Sequence, residues 1–281
     1  MTIGRSNAST QTAAPPGTCL IRGGQVVTAR RNEIAALARQ PTPAGGPMLP
    51  TRFLRHADEQ TVVGIWAVLF TLSKLTDHGD RSGDAVVAAS CRAGQPTAAR
   101  TMVALEQQGP VGVTPHVVPQ CSLHSPASAV SVGLGMHGPT IGVGGGPAAS
   151  AEGLLAATGL AMSLAVTPKP PAIWLVCTSW DNSPQLDDQA APTNDPVCRG
   201  LALWLEPLAS GSQSPVEGAR LQIDAGGPAE PANGLPLWEF SERLTQGRAC
   251  GISCGHSLTA RLLPGPAGFG VGGPAVTREA A

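Results

Sequence analysis

The sequence predicts an α/β fold, with one sheet covered by helices on both faces. Three observations carry that expectation. Apolar segments of strand length alternate with segments of helical periodicity through the middle of the chain. Two short runs, 84–89 and 172–178, are compact and apolar, as strands in a buried sheet require. Between them, Gly138-Pro139-Thr140-Ile141-Gly142-Val143-Gly144-Gly145-Gly146-Pro147-Ala148-Ala149-Ser150 reads as a short strand, a glycine-rich elbow and the start of a long Ala/Leu helix.

Taken in order, residues 19–28 read as a strand and turn, and 32–39 as a short helix capped by Asn32. The Pro/Gly stretch 41–50 breaks that helix. Over 57–75 the residues Val62, Val63, Trp66, Leu69, Phe70 and Leu72 recur at near-helical spacing, which predicts a long buried helix. A strand at 84–89 is followed by a helix over 96–107 that Gly109 and Pro110 end. Ser125 and Pro126 open a helix that Gly135 stops. The elbow strand, 140–144, leads to a helix over 148–166. Strands follow at 172–178, 198–205 and 220–224, with a polar loop at 182–196.

Composition removes several classes of function. A net charge of -1, with Lys only at Lys74 and Lys169, leaves no basic stripe to neutralise phosphates, so nucleic-acid binding is disfavoured. The longest apolar stretches, near 62–72 and 154–166, carry small or polar residues and fall short of a membrane span. Residues 1–18 are polar and read as a disordered leader without a signal-peptide core, so a cytoplasmic location is expected. Seven cysteines, an odd number in a chain large enough to bury its own core, imply reduced thiols. No Tyr, 4 Phe and 5 Trp give little material for an aromatic-lined ligand pocket.

Other motifs read better as structure than as sites. In Gly142-Val143-Gly144-Gly145-Gly146-Pro147 the third glycine of a dinucleotide loop falls on Pro147, and no acidic residue follows near the next strand end. Residues 268–273 match GxGxxG literally, yet the chain ends too soon for a helix and reads as a flexible tail. Cys250, Cys254 and His256 lack the paired knuckles of a zinc site. Cys121 and His124 read as packing and capping neighbours rather than a nucleophile and base. His56, His78, His116 and His137 are scattered, and Asp181, Asp187, Asp188 and Asp195 read as a solvated loop. No cofactor and no metal are expected.

The elbow resembles that of β-ketoacyl synthases, in which a GPxxxV strand runs into a tight turn bearing the catalytic cysteine at a helix N-terminus. Further stretches agree in order and spacing over 19–226. Ala57-Asp58-Glu59-Gln60 and the helix after it resemble the family's long early helix. Residues 114–139, from Thr114-Pro115-His116 to His137-Gly138-Pro139, resemble the segment leading into the nucleophile strand. Cys198-Arg199-Gly200-Leu201-Ala202-Leu203-Trp204-Leu205-Glu206-Pro207 resembles the GEGAxxLVLEP strand, and Gly218-Ala219-Arg220-Leu221 the GARIYAEI strand.

The departures are chemical. The resemblance puts the cysteine position on Pro147, which has no nucleophile to activate and no amide N–H for an oxyanion hole. There is no HGTGT turn, the lysine expected before Gly255-His256 is Gly251, and Trp180 stands where the family has small residues. The resemblance therefore implies one thiolase-like half: a mixed, mostly parallel sheet between helical layers, with the helix after Pro147 at its centre. Residues 19–226 would form the ketosynthase-like domain and 227–281 a poorly ordered remnant. It further implies a catalytically inactive protein in fatty acid or polyketide biosynthesis, similar to chain-length-factor subunits, with Pro147 as a vestigial nucleophile position. The partner would be an active ketosynthase or a second copy of the chain, joined in a dimer at strand 140–144. Binding of an acyl chain or acyl carrier protein, or catalysis by another residue such as Cys121, are the alternatives.

Overall fold

The computed structural model describes residues 17–50, 52–76, 79–167, 169–208, 218–225, 236–255, 257–265 and 271–276. The elements follow the apolar segments closely. In chain order they are β1 (Cys19–Arg30), α1 (Arg31–Leu37), α2 (Glu59–Lys74), β2 (Ala85–Cys91), α3 (Gln95–Gln108), α4 (Val117–Gln120) and α5 (Ser125–Leu134). Then come β3 (Thr140–Gly145), α6 (Ala149–Leu164), β4 (Ile173–Trp180), β5 (Val197–Pro207), β6 (Arg220–Ala225), α7 (Leu237–Thr245), β7 (Cys250–Gly255), β8 (Leu258–Leu263) and β9 (Val271–Val276).

Among the described residues the strands form one 9-stranded sheet in the order β3-β2-β4-β5-β1-β6-β8-β7, with β9 beside β1. The sheet is mixed, as expected. Its parallel pairings are β2 with β3, β2 with β4 and β1 with β9. The other five are antiparallel, so parallel geometry is less widespread than expected and centres on β2.

Strand alternation sends side chains to two cores. From β4, Ile173, Leu175 and Cys177 join the face covered by α6 and α7, while Trp174 and Val176 join the face covered by α1, α2 and α5. Residue 200 is a glycine because a Cβ there would meet the Val63 backbone carbonyl of α2 at 2.8 Å. The helix after Pro147 is not enclosed at the centre of the fold. It buries Ala151, Leu154, Ala157 and Ala161 on the sheet and leaves Glu152, Gly159 and Met162 exposed, because a single helical layer covers that face.

Where the structure describes it, the stretch 227–281 expected as a loose remnant holds regular elements. Leu237, Phe240 and Leu244 recur at helical spacing and bury one face of α7 in the core. β7 and β8 form a hairpin that extends the sheet from β6, and β9 pairs in parallel with β1 over Gly24–Thr28. The GxGxxG stretch read as tail thus runs into a strand, its residues 268–270 lying outside the described residues. The expected leader, 1–18, lies outside them up to residue 16. Asn32 is not the cap of α1 either: Arg30 is the N-cap, and its amide donates to the Glu33 carboxylate at 2.7 Å.

Asp58 caps α2, accepting from the amides of Gln60 at 3.0 Å and Thr61 at 3.1 Å and from the Thr61 hydroxyl. Burial raises its pKa from 3.8 to about 6 against the opposing hydrogen bonds from Thr61. A raised carboxyl binds its proton more tightly folded than unfolded, so its contribution to stability is full below 3.8 and is lost as pH rises through about 6. Asp58→Asn keeps a good cap and should abolish that fall across the window, whereas Asp58→Ala should cost about 1 kcal/mol throughout; urea unfolding at a series of pH values measures both.

On α6, a Cβ at Gly153 would come within 2.5 Å of Ala89 Cβ, whereas at Gly159 it would meet nothing within 4 Å. Helix propensity favours Ala over Gly by roughly 0.8–1 kcal/mol at either place. Gly159→Ala should therefore stabilise, and Gly153→Ala should destabilise by roughly 1–3 kcal/mol as α6 is forced off the sheet. Thermal midpoints moving in opposite directions are the expected result.

Candidate functional site

The carboxyl ends of the parallel strands β3, β2 and β4 gather at one edge of the sheet, where crevices of α/β folds form. Register places Cys91 opposite Gly145, and Ser90 between Gly144 and Thr178. At the end of β3, Gly144 and Gly145 have φ of +99° and +105°, a region glycine enters without a Cβ penalty. A Cβ on Gly144 would lie 2.8 Å from that of Ala149, so the turn admits no side chain there.

The turn closes by the Ala149 amide donating to the Gly146 carbonyl at 3.1 Å, and α6 begins at Ala149 with Ala148 as its N-cap. Pro147 is exposed at the top of this elbow, just before the cap rather than at the first helical position. Its ring offers neither a nucleophile nor an N–H. Below it opens a cavity of about 210 Å³ lined by Pro147, Ser150, Cys91, Trp180 and Trp238 among others. The Cys91 thiol is half-buried, and burial raises its pKa more than the neighbouring Arg92 lowers it. A thiol held protonated in this way is a poor nucleophile.

Behind the cavity lies a buried polar chain that the periodicity did not disclose. Gln60 Nε2 donates to the Cys91 carbonyl at 2.9 Å, Thr178 Oγ1 donates to Gln60 Oε1 at 2.9 Å, and Ser90 Oγ, the Thr178 proton being so committed, donates to Thr178 Oγ1 at 2.7 Å. All three side chains are buried. Trp180, at the end of β4, is buried too, and its Nε1 has no acceptor among the described residues.

Most other sequence candidates lie apart from this cavity. Cys121 donates to the Gly94 carbonyl at 3.7 Å, and burial, then the charge of Asp58, raises its pKa. The His124 amide takes Ser122 Oγ at 3.2 Å. His56 stacks on His116 with ring centroids 4.3 Å apart, and the His137 amide donates to the Ser82 carbonyl. Cys254 Sγ donates to the Ala151 carbonyl at 3.5 Å, while His78 and His256 lie outside the described residues.

Asp181 does line the cavity, and it is not solvated as the loop reading expected. Arg199 grips its two oxygens at 3.0 and 2.7 Å. Asp187 accepts the amides of Gln189 and Ala191, organising the loop, and Asp195 pairs with Arg30 at 2.6 Å.

The polar chain yields a test. Thr178→Val keeps the shape of the side chain and orphans Gln60 Oε1 and Ser90 Oγ in the core, which should cost about 1–3 kcal/mol for each group left unpaired. Chemical denaturation should show that loss, and amide exchange should rise at the ends of β2 and β4.

No family model and no curated protein matches the chain. Among solved structures it is similar to a chain of a ketosynthase in complex with its chain length factor from Xenorhabdus doucetiae, at 17% identity and a TM-score of 0.49, over 88% of this chain and 99% of that one. It is similar to the ishigamide ketosynthase/chain length factor at 15% identity and 0.41, over 74% and 68%. A β-ketoacyl synthase from Burkholderia phymatum is similar at 14% identity and 0.45, over 74% and 64%.

Proposed function

We propose that this chain is a non-catalytic ketosynthase-like subunit that works by pairing with an active ketosynthase, in the manner of a chain length factor in fatty acid or polyketide assembly. The observation that carries the reading is Pro147 at the top of a well-built strand–glycine–helix elbow. The elbow holds its backbone form without a thiol or an amide N–H at position 147, and burial raises the pKa of Cys91, the thiol that lines the same cavity.

The surface around the elbow supports a partner. β3 is the terminal strand of the sheet, and an uncovered edge is an aggregation hazard that a subunit contact removes. The exposed apolar residues Met102, Leu105, Val111, Val118 and Val132 lie on α3, the turn at 109–112, α4 and α5, of which α5 packs against β3, and α3 buries only Pro96 and Thr97. Ile141 and Val143 pack against the core under α6, so a charge there would damage the fold itself. Val118 and Val132 are better probes, being 75% and 71% exposed.

The test is co-expression with an active ketosynthase. A complex should form, Val118→Glu with Val132→Glu should weaken it without lowering the thermal midpoint, and acyl thioesters should leave residues 142–150 unmodified. Pro147→Cys should gain reactivity toward alkylating agents but no condensing activity, because residues of a catalytic unit do not act singly. A covalent acyl group within 142–150, condensation by the single variant, or a monomer indifferent to the ketosynthase would refute the reading.

A further inference from the structure

A second and much larger cavity, about 1590 Å³, lies between α1, the 39–57 segment and the first turns of α2 and α3. We propose that it binds an amphipathic anion, a carboxylate or phosphate head on an extended hydrocarbon chain. The inference is independent of any pairing with a ketosynthase.

The floor is apolar. Ile34, Leu54 and Trp66 are buried beneath it, and Leu49 and Phe53 form half-buried walls. Five arginines, Arg31, Arg39, Arg52, Arg55 and Arg100, line the same cavity against two carboxylates, Asp58 and Glu59. That is a concentration of positive charge in a chain whose net charge is -1.

The carboxylates leave most of that charge unanswered. Glu59 takes Arg100 at 3.2 Å and Arg31 at 3.9 Å, while Arg31 Nε is buried with no acceptor. Asp58 is spent on the amides of α2. The side chains of Arg39, Arg52 and Arg55 make no ion pair or hydrogen bond among the described residues. Arg52 also sits at φ +66°, a conformation unfavourable for a side chain and worth holding only where the chain around it dictates the position.

Guanidinium groups at the mouth of an apolar cavity bind an anionic head strongly, since the forked donors match carboxylate and phosphate and the apolar surroundings weaken screening. An inorganic anion would leave the floor wetted. A neutral chain would leave the arginines unused. The volume exceeds the roughly 300–1,000 Å³ of pockets for compact ligands and suits an extended chain.

Calorimetric titration of the full chain with dodecanoate, dodecyl phosphate and dodecyl maltoside, each below its micelle concentration, and with inorganic phosphate tests the proposal. Both anionic amphiphiles should bind, the maltoside at least about tenfold more weakly and phosphate weaker still. Arg52→Gln with Arg55→Gln should weaken anionic binding by about tenfold or more while thermal midpoint and circular dichroism stay unchanged. A diazirine-bearing fatty acid should label peptides within residues 31–66.

Equal binding of the maltoside, affinity unchanged in the arginine variant, no binding of either anionic amphiphile, or labelling at 142–150 would each overturn the assignment. Arginine-dependent retention of a polyglutamate peptide without amphiphile binding would likewise overturn it and make the groove a protein-docking face.

Discussion

The hydrogen-bonded chain Gln60–Thr178–Ser90 is the constraint on which the elbow end of this fold depends. It joins the first turn of α2 to the last residues of β2 and β4, three elements distant in sequence. Each member is buried, so none can exchange its partner for water, and loss of one leaves the others unpaired. The position of β2 sets that of β3 through their shared register, and β3 sets the elbow. A polar device in the core thus locates a turn at the surface.

At that turn, shape and chemistry have separate sources. The shape comes from two glycines at positive φ and a helix packed so closely that its own glycine faces Ala89. None of this requires a reactive side chain. A proline at the summit is compatible with the turn's hydrogen bond, because the turn is closed by the Ala149 amide and the Gly146 carbonyl rather than by Pro147. The turn therefore needs no reactive side chain at its summit to hold its form.

Local pattern made much of the fold legible. The helices α2, α5 and α6 and the strands β2, β3, β4, β5 and β6 fall where apolar spacing and Gly/Pro punctuation put them, within a few residues. The elbow was legible because strand, glycines and helix are contiguous. The C-terminal strands were not, since 250–276 is rich in glycine and becomes strand by pairing with β6 and β1 rather than by its own propensity. Asp181 was misread because its partner Arg199 lies 18 positions away. The arginine-lined cavity draws on residues from Arg31 to Gln120, and no linear motif marks it.

The placement of β1 has a consequence for how the protein can be made. One edge of this first strand is taken by β5, and the other is shared by β6 at Cys19–Leu20 and by β9 at Gly24–Thr28. As the chain leaves the ribosome, that second edge stays open until about residue 276 has emerged, so the earliest strand waits for the latest. A polypeptide cut near residue 226 would carry the elbow, the glycines and most of the core. It would also leave the Gly24–Thr28 edge of β1 unpaired in the middle of its sheet, a template for the strand of another chain.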